Sequence, residues 1–363
     1  MVNRVTDFAD EFVRRSHRVN RVSAGEAVRI ANKVASSHGR ITAALMRLTD
    51  SEFAGPARER AIKTIADILR KQYSDAAIDA EKVAAKMVEL EVDWNASVFS
   101  QYTNAAINTV PIELAVRASN EAPYQGKLFK DWFKDAGVKA PRKVFGIIES
   151  GFISGKSIPE ITGEVGQLVK NITPEIKTLV RSNLLHASSM GRKQVSEANE
   201  DIMDGRIWQS TLDIRTTADI CGVRDQKEYD MNGQPVGHSM PWGAGPGQIH
   251  FNCRSIQIPK IKGISVKTKR PSIGAGENYE RGDNKTNRGT IRKPTKKTRD
   301  DGIHKIKIKS AGTDYESWLR TQKSDFVADA LGSKEKAVAF KGGDSLESVT
   351  SNPLGTPLEI NQL

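Results

Sequence analysis

Between Gly55-Pro56 and residue 90, apolar side chains recur at steps of three and four: Ile62, Ile65, Leu69, Tyr73, Ala76, Ala80, Val83, Met87 and Leu90. No Gly or Pro interrupts them, so the spacing predicts one long helix with a narrow apolar seam. A seam of that width packs on another helix and does not build a substrate pocket. The residues before it also read as helix. Thr6 can cap a first helix with Val5, Phe8, Ala9, Phe12 and Val13 on one face. Ser23 with Glu26 forms a capping-box pattern ahead of Val28, Ile30, Ala31 and Val34. Breaks are expected near Pro111 and Pro123, and local core at Trp132 and Phe133.

From Pro141 the rhythm shortens to two short helices with a turn at Gly155, where Ser157 caps and Pro159 sits early in the second. Thr173-Pro174 reads as a fresh start, an N-cap followed by proline at the first helical position. The helix predicted from there runs to about Glu197. Ile176, Leu179, Val180, Leu184 and Ala187 line one face, with Arg181, His186, Arg192 and Lys193 on the polar one. Past Asp204-Gly205 the period becomes two. Ile207 to Leu212 and Arg254 to Ile258 read as strands around a long loop, MNGQPVGHSMPWGAGPGQ, too rich in Gly and Pro for regular structure. From Thr313 a short amphipathic helix presents Tyr315, Trp318, Leu319 and Phe326, closed by Gly332. No internal repeat is evident.

Composition narrows the class. The 363 residues, 38% hydrophobic and 27% charged, suit a soluble protein of two or three domains. No stretch approaches the roughly 18 to 20 apolar residues of a membrane span, and the charged N-terminus lacks the apolar core of a secretory signal. Synthesis in a cytoplasm is therefore expected. Two cysteines are too few for a disulfide scaffold. The net charge is +11, and Lys260 to Lys309 holds sixteen Lys/Arg against five Asp/Glu, equal to the whole excess. That segment has little apolar content and reads as a flexible linker. It is either merely solvated or a tether that neutralises phosphates.

Cys221, His250 and Cys253 are the obvious soft-ligand set, with His238 as a candidate fourth ligand for tetrahedral zinc. The same cysteines also read as small buried thiols where two strands meet, or as half of a Cys/His nucleophilic site. Asp213 and Arg215 read as an ion pair or turn-stabilising pair, and Thr216 and Thr217 as caps of a short helix running into Ile220. No Walker loop, dinucleotide fingerprint or His-Glu metalloprotease pattern is present.

Leu212-Asp213-Ile214-Arg215-Thr216-Thr217, then Cys221, Pro241-Trp242 and His250-Phe251-Asn252-Cys253-Arg254-Ser255, resemble the core of the phage Mu F-like minor head proteins, also called phage head morphogenesis proteins. The helix LVRSNLLHASSMGRKQ and its entry GFISGKSIPEI are similar to that family too, although Arg181 is followed here by Ser182 where an Arg-Thr pair is common. Asp314 to Leu319, with Gln322, Phe326 and Leu331-Gly332, resembles its closing segment. The likeness covers roughly residues 141–259 and 313–363. Some members carry extra cysteines suggesting a metal knot; here Cys221 lacks the neighbouring partner, and Ser255 stands where a further cysteine often falls.

The expected fold class is α+β, predominantly α: long N-terminal helices over 1–140, a small helix-plus-β-hairpin core over 141–260, a flexible basic linker over 261–310 and a helical tail over 311–363. The resemblance implies a non-enzymatic, low-copy minor capsid protein of a tailed phage virion, at the portal vertex or inner capsid, acting in head assembly or DNA ejection. Its implied partners are the portal, the major capsid or scaffolding protein, and packaged double-stranded DNA, with a homo-oligomer around the portal and no membrane. The DNA-binding candidates are Lys267, Lys269, Arg270, Arg288, Arg292, Lys293, Lys296, Lys297 and Arg299. Cys221, His250 and Cys253 are the candidate zinc ligands; otherwise no cofactor is expected. The alternative is a phage-delivered enzyme or effector with a Cys/His or zinc site.

Overall fold

The computed structural model describes residues 4–48, 55–276 and 304–350. The fold is α+β and predominantly α. Six helices come first: α1 (Arg4–Ala35), α2 (His38–Met46), α3 (Pro56–Tyr102), α4 (Ile112–Glu121), α5 (Phe129–Ile153) and α6 (Ile158–Ala198). Strands β1 (Met203–Gln209), β2 (Leu212–Asp213), β3 (Glu228–Tyr229), β4 (Pro235–Val236), β5 (Ile256–Ile261), β6 (Arg270–Ala275) and β7 (His304–Lys309) come next. Helices α7 (Tyr315–Arg320), α8 (Ser324–Leu331), α9 (Lys334–Gly342) and α10 (Leu346–Thr350) come last. The chain divides into two compact units.

The helical unit comprises Val19–Val92 and Pro111–Gly191. The long helix is there as α3, but its buried side departs from the expected seam. Ile65, Leu69, Tyr73, Ala76, Ala80 and Met87 are buried as expected; Leu90 is 45% exposed, and Ala84 and Val88 are buried in the later turns. The expected positions average 3.5 residues per turn, whereas a straight helix takes 3.6. The difference turns the stripe by about 20° per heptad.

Four expected helix starts, at Thr6, Ser23, Pro141 and Thr173, are corrected, because each helix runs through them on a continuous buried face. Helix α1 runs through Thr6, Ser23 and Glu26, with Ala27, Ile30, Ala31 and Val34 buried and Val28 turned outward. Helix α5 runs through Pro141, with Phe133, Ala136, Ala140, Val144 and Ile148 buried on one face, so the boundary at residue 140 falls inside a helix. Helix α6 runs through Thr173-Pro174. Ile161, Val165 and Val169 before the proline and Ile176, Leu179 and Val180 after it are all buried. An interior proline removes one N–H bond and clashes with the preceding turn, at a cost of about 3 kcal/mol, which a continuous buried face offsets. The start of α6 is as expected: Ser157 N–H donates to Glu160 at 2.8 Å and Glu160 N–H returns to Ser157 Oγ at 3.4 Å, a capping box. His186, expected on a polar face, is buried against the rings of Tyr124 and Phe129.

The second unit comprises Met1–Arg18, Asp93–Val110 and Arg192–Leu363. One sheet has the order β4-β3-β1-β5, all antiparallel. The long Gly/Pro loop is thus not wholly irregular, since β4 lies in it. Gly205 shows why β1 needs glycine: φ is +135°, and a Cβ there would lie 2.3 Å from the Tyr229 carbonyl oxygen. The other sheet has the order β2-β6-β7, with β2 parallel and β7 antiparallel to β6. Both β6 and β7 fall within residues 261–310, so the expectation of a wholly flexible linker is corrected. Residues 277–303 lie outside the described residues. The tail is α7 and α8, followed by two more helices, and Gly332 ends α8 in the left-handed conformation at φ 75°. Tyr315, Trp318, Leu319, Phe326, Phe340 and Leu346 form one buried cluster with Leu212, Ala218, Val223 and Met240. The tail therefore completes the core of this unit. Elsewhere in the same unit, Phe8 and Phe12 pack edge-on against Tyr102 and Trp94.

Candidate functional site

Cys221 sits in a single wide turn, Ala218–Gly222, where the N–H groups of Cys221 and Gly222 both donate to the Thr217 carbonyl, at 2.7 and 3.0 Å. This is a π-type turn, and the Thr217 side chain makes no cap bond, which corrects its expected capping role. Glycine at 222 lets the turn pack tightly here: a Cβ would meet the Tyr315 ring at 2.7 Å and one of the two would have to shift. On the other side, Asn252 takes a left-handed conformation at φ 59° and Cys253 N–H closes on the His250 carbonyl at 3.1 Å. That tight turn brings His250 and Cys253 to the same side.

The result is a preformed set of three soft donors. Cys221 Sγ lies 2.9 Å from His250 Nε2 and 3.7 Å from Cys253 Sγ, and the three ligand atoms fall within 4.8 Å of one another. His250 Nδ1 lies 2.9 Å from the Phe251 carbonyl. A carbonyl only accepts, so Nδ1 carries a proton, and it is the neutral ring that offers the Nε2 lone pair to the cluster. Gly247 N–H donates to Cys253 Sγ at 3.2 Å. Burial opposes ionisation of Cys253, but hydrogen bonds with Cys221 and His250 and the imidazole's charge outweigh it, holding that thiol well below its usual range. Cys221 is pushed well above by burial and by the neighbouring Cys253 sulfur, and His250, though burial lowers it, is raised by Cys253. The pair gives up one proton readily and resists losing the second.

Two thiols and an imidazole with the ring tautomer fixed are the donors zinc takes. The Sγ–Sγ separation matches the roughly 3.8 Å that tetrahedral angles and Zn–S bonds of about 2.3 Å require. The shorter Sγ–Nε2 contact is that of a metal-free hydrogen bond, and the ring must back away slightly to admit an ion. His238 is not the fourth ligand. Its Nδ1 accepts from Met240 N–H at 3.1 Å and its Nε2 lies 2.8 Å from the Glu228 carbonyl. Among the described residues the candidate cluster stops at three.

Around it, Trp208 stacks edge-on to Trp242 at 5.3 Å, and Arg224 donates to the carbonyls of Pro241 and Ile220 at 2.8 and 2.7 Å. Both sulfurs are buried. Asp213 pairs with Arg254, not with the Arg215 side chain: two guanidinium nitrogens reach it at 2.6 Å each, while only the backbone N–H of Arg215 bonds to it, at 3.0 Å. The expected Asp213–Arg215 ion pair is thereby corrected, and the turn-stabilising alternative stands. Sequence spacing offered no signal for Arg254, which lies 41 residues away.

The cationic candidates separate. Lys267 and Lys269 are exposed. Arg270 is 2% exposed, bonded to Asp225 and to the carbonyls of Ser210 and Thr313, so it is a structural residue and its placement among DNA-binding groups is corrected. Arg288, Arg292, Lys293, Lys296, Lys297 and Arg299 lie outside the described residues. No described helix is long and apolar enough to cross a membrane. Set against protein-family models, curated proteins and solved structures, the chain finds no match in any of the three comparisons.

Proposed function

We propose that this chain is a non-enzymatic minor head protein of a tailed phage, held at the portal vertex or inner capsid, contacting packaged DNA nonspecifically and acting in head assembly or DNA ejection. The observation that carries the reading is the joining of the two sequence segments that resemble such proteins. The Leu212–Thr217 motif and the Asp314–Leu319 motif, about a hundred residues apart, share one buried cluster through Leu212, Tyr315, Trp318 and Leu319. The cationic run is inserted between them, after β6 and before β7. Asn284 to Arg299 holds seven Lys/Arg and no acid. In a DNA-filled shell such a run meets phosphate at high concentration, where weak contacts are occupied. Mixing the protein with portal complexes and with duplex DNA tests it. Portal association and salt-sensitive DNA binding are expected; absence of both overturns the reading.

The cluster is assigned to zinc, with Cys221, His250 and Cys253 as protein ligands and the metal pinning the 221 and 253 turns together. Burial of both sulfurs favours this structural role over the phage-delivered enzyme, whose nucleophile must reach a substrate. Elemental analysis of the purified protein, together with the thiolate charge-transfer band of a cobalt-substituted sample, checks it. Stoichiometric metal lost in Cys253→Ser is expected; metal-free protein that takes up neither ion overturns the assignment.

A further inference from the structure

Among the described residues strand β7 lies at the edge of its sheet, and its sequence alternates strictly: His304, Lys305, Ile306, Lys307, Ile308, Lys309. In a strand, alternate residues share a face, so the three lysines form one row at steps of about 7 Å. Their register places them beside Gly274, Ser272 and Arg270 of β6. Those three are covered: Arg270 is locked to Asp225, Ser272 is buried, and a Cβ on Gly274 would meet the Gln322 side chain. Even so, Lys305 and Lys307 are exposed and Lys309 is half-buried.

Ion pairing alone does not distinguish them: Lys71, Lys86 and Lys193 on the helices lie beside Asp75, Glu89 and Glu197, whereas Lys63, Lys82 and Lys177, also helical, have no carboxylate partner among the described residues. The fixed spacing of the β7 lysines does. Among the described residues no carboxylate pairs with Lys305, Lys307 or Lys309. Lysines on an edge also deter strand addition, but one serves that purpose. Three at every second position, set at a strand's spacing, fit a regular polyanion whose successive charges lie a similar distance apart.

We infer that β7 is a phosphate-binding strand, with Lys305, Lys307 and Lys309 taking neighbouring phosphates along one strand of duplex DNA. The inference rests on the proposed contact with packaged DNA and adds to it a fixed platform at the end of the Lys260–Lys309 segment, made of lysines outside the nine DNA-binding candidates. Each phosphate contact contributes about 0.9 to the slope of log affinity against log salt.

The test compares full-length protein, the triple variant Lys305→Gln/Lys307→Gln/Lys309→Gln, and a control with the same loss of charge, Lys71→Gln/Lys86→Gln/Lys193→Gln. Duplex binding is measured from low to moderate salt, with circular dichroism and thermal melting confirming that each protein folds. The β7 variant is expected to lose about 2 to 3 from the slope while the control keeps the wild-type value. Equal slopes for the two variants overturn the inference and leave the nucleic-acid reading intact. No salt-dependent binding by wild type overturns that reading itself. Polyglutamate bound as tightly as DNA, and lost equally in the β7 variant, assigns the strand to an acidic protein surface and also overturns the inference.

Discussion

Arg270 grips Asp225 with both prongs of its guanidinium, Nη1 to Oδ2 at 2.7 Å and Nη2 to Oδ1 at 3.1 Å, and both side chains are almost wholly buried. Asp225 also accepts Ser210 N–H at 2.6 Å, and Arg270 donates to the Thr313 carbonyl at 2.7 Å. One ion pair thus fastens the end of β1, strand β6 and the lead into α7.

Removing one partner strands the other as a buried charge, which typically costs about 3 to 5 kcal/mol. Arg270→Ala is therefore expected to lower the urea midpoint by that equivalent, and Asp225→Leu/Arg270→Met to recover much of it. Neither change is expected to alter the salt slope of DNA binding. An Arg270→Ala protein as stable as wild type, but with a shallower slope, shows the arginine facing phosphate after all.

The Asp213–Arg254 pair sets a pH dependence. Burial pushes the Asp213 carboxyl up, but Arg254, assisted by Arg215, outweighs it and holds the group below the usual carboxylate range. A depressed folded value means the unfolded chain binds more protons, so stability rises with pH. This contribution is complete above the unfolded value of about 3.9 and fades as pH falls through the lower folded one. His17, lowered chiefly by burial and then by Arg254, adds a separate loss that begins below about pH 6.5. Asp213→Asn is expected to be less stable by about 3 kcal/mol at neutral pH. Its urea midpoint should also be flatter from pH 4 downward, with the shallower decline above pH 4 retained. A wild-type slope below pH 4 in the variant sinks the assignment.

Gly205 is held by sterics alone. With φ at +135° and the Tyr229 oxygen in the place of any Cβ, Gly205→Ala must break the β1–β3 pairing or displace β3. The strain and lost pairing together are expected to cost at least about 2 kcal/mol, by the usual penalty of such backbone conformations. Thermal melting reads the loss, and an unchanged melting temperature shows that β3 yields freely.

How much of the chain could be read depends on how local each signal is. The α3 seam was legible because burial on one helix face is written every few residues; only its drift toward Ala84 and Val88 escaped a count of threes and fours. Pro174 misled because propensity is local, while the buried residues on either side of it are a tertiary fact. Strand β6 pairs with β2 across some sixty residues and with β7 across the long basic run, so Arg270 looked like one more cation. The Cys221, His250 and Cys253 set was legible for a different reason: soft ligands are rare in this chain, and proximity in kind suggested proximity in space. The partners that orient them, Gly247 N–H and the Phe251 carbonyl, have no spacing that announces them.

That same cluster gives the prediction with the widest reach. Zinc ligands must be deprotonated, so ion binding expels thiol protons and the affinity falls as pH is lowered. Because the ion ties the Ala218–Gly222 turn to the His250–Cys253 turn only in the folded chain, occupancy at a hundred times the dissociation constant should add about 2.7 kcal/mol to folding. Calorimetric titration of the chelator-treated protein, repeated in two buffers of different ionisation heat, is expected to show net proton release and a pH-dependent affinity. Melting should shift upward with zinc in wild type and stay fixed in both Cys221→Ser and Cys253→Ser. His250→Gln is expected to bind weakly and to retain only part of the shift. A zinc-induced shift that survives both serine substitutions places the ion elsewhere and leaves the two thiols as core packing beneath Trp208 and Trp242.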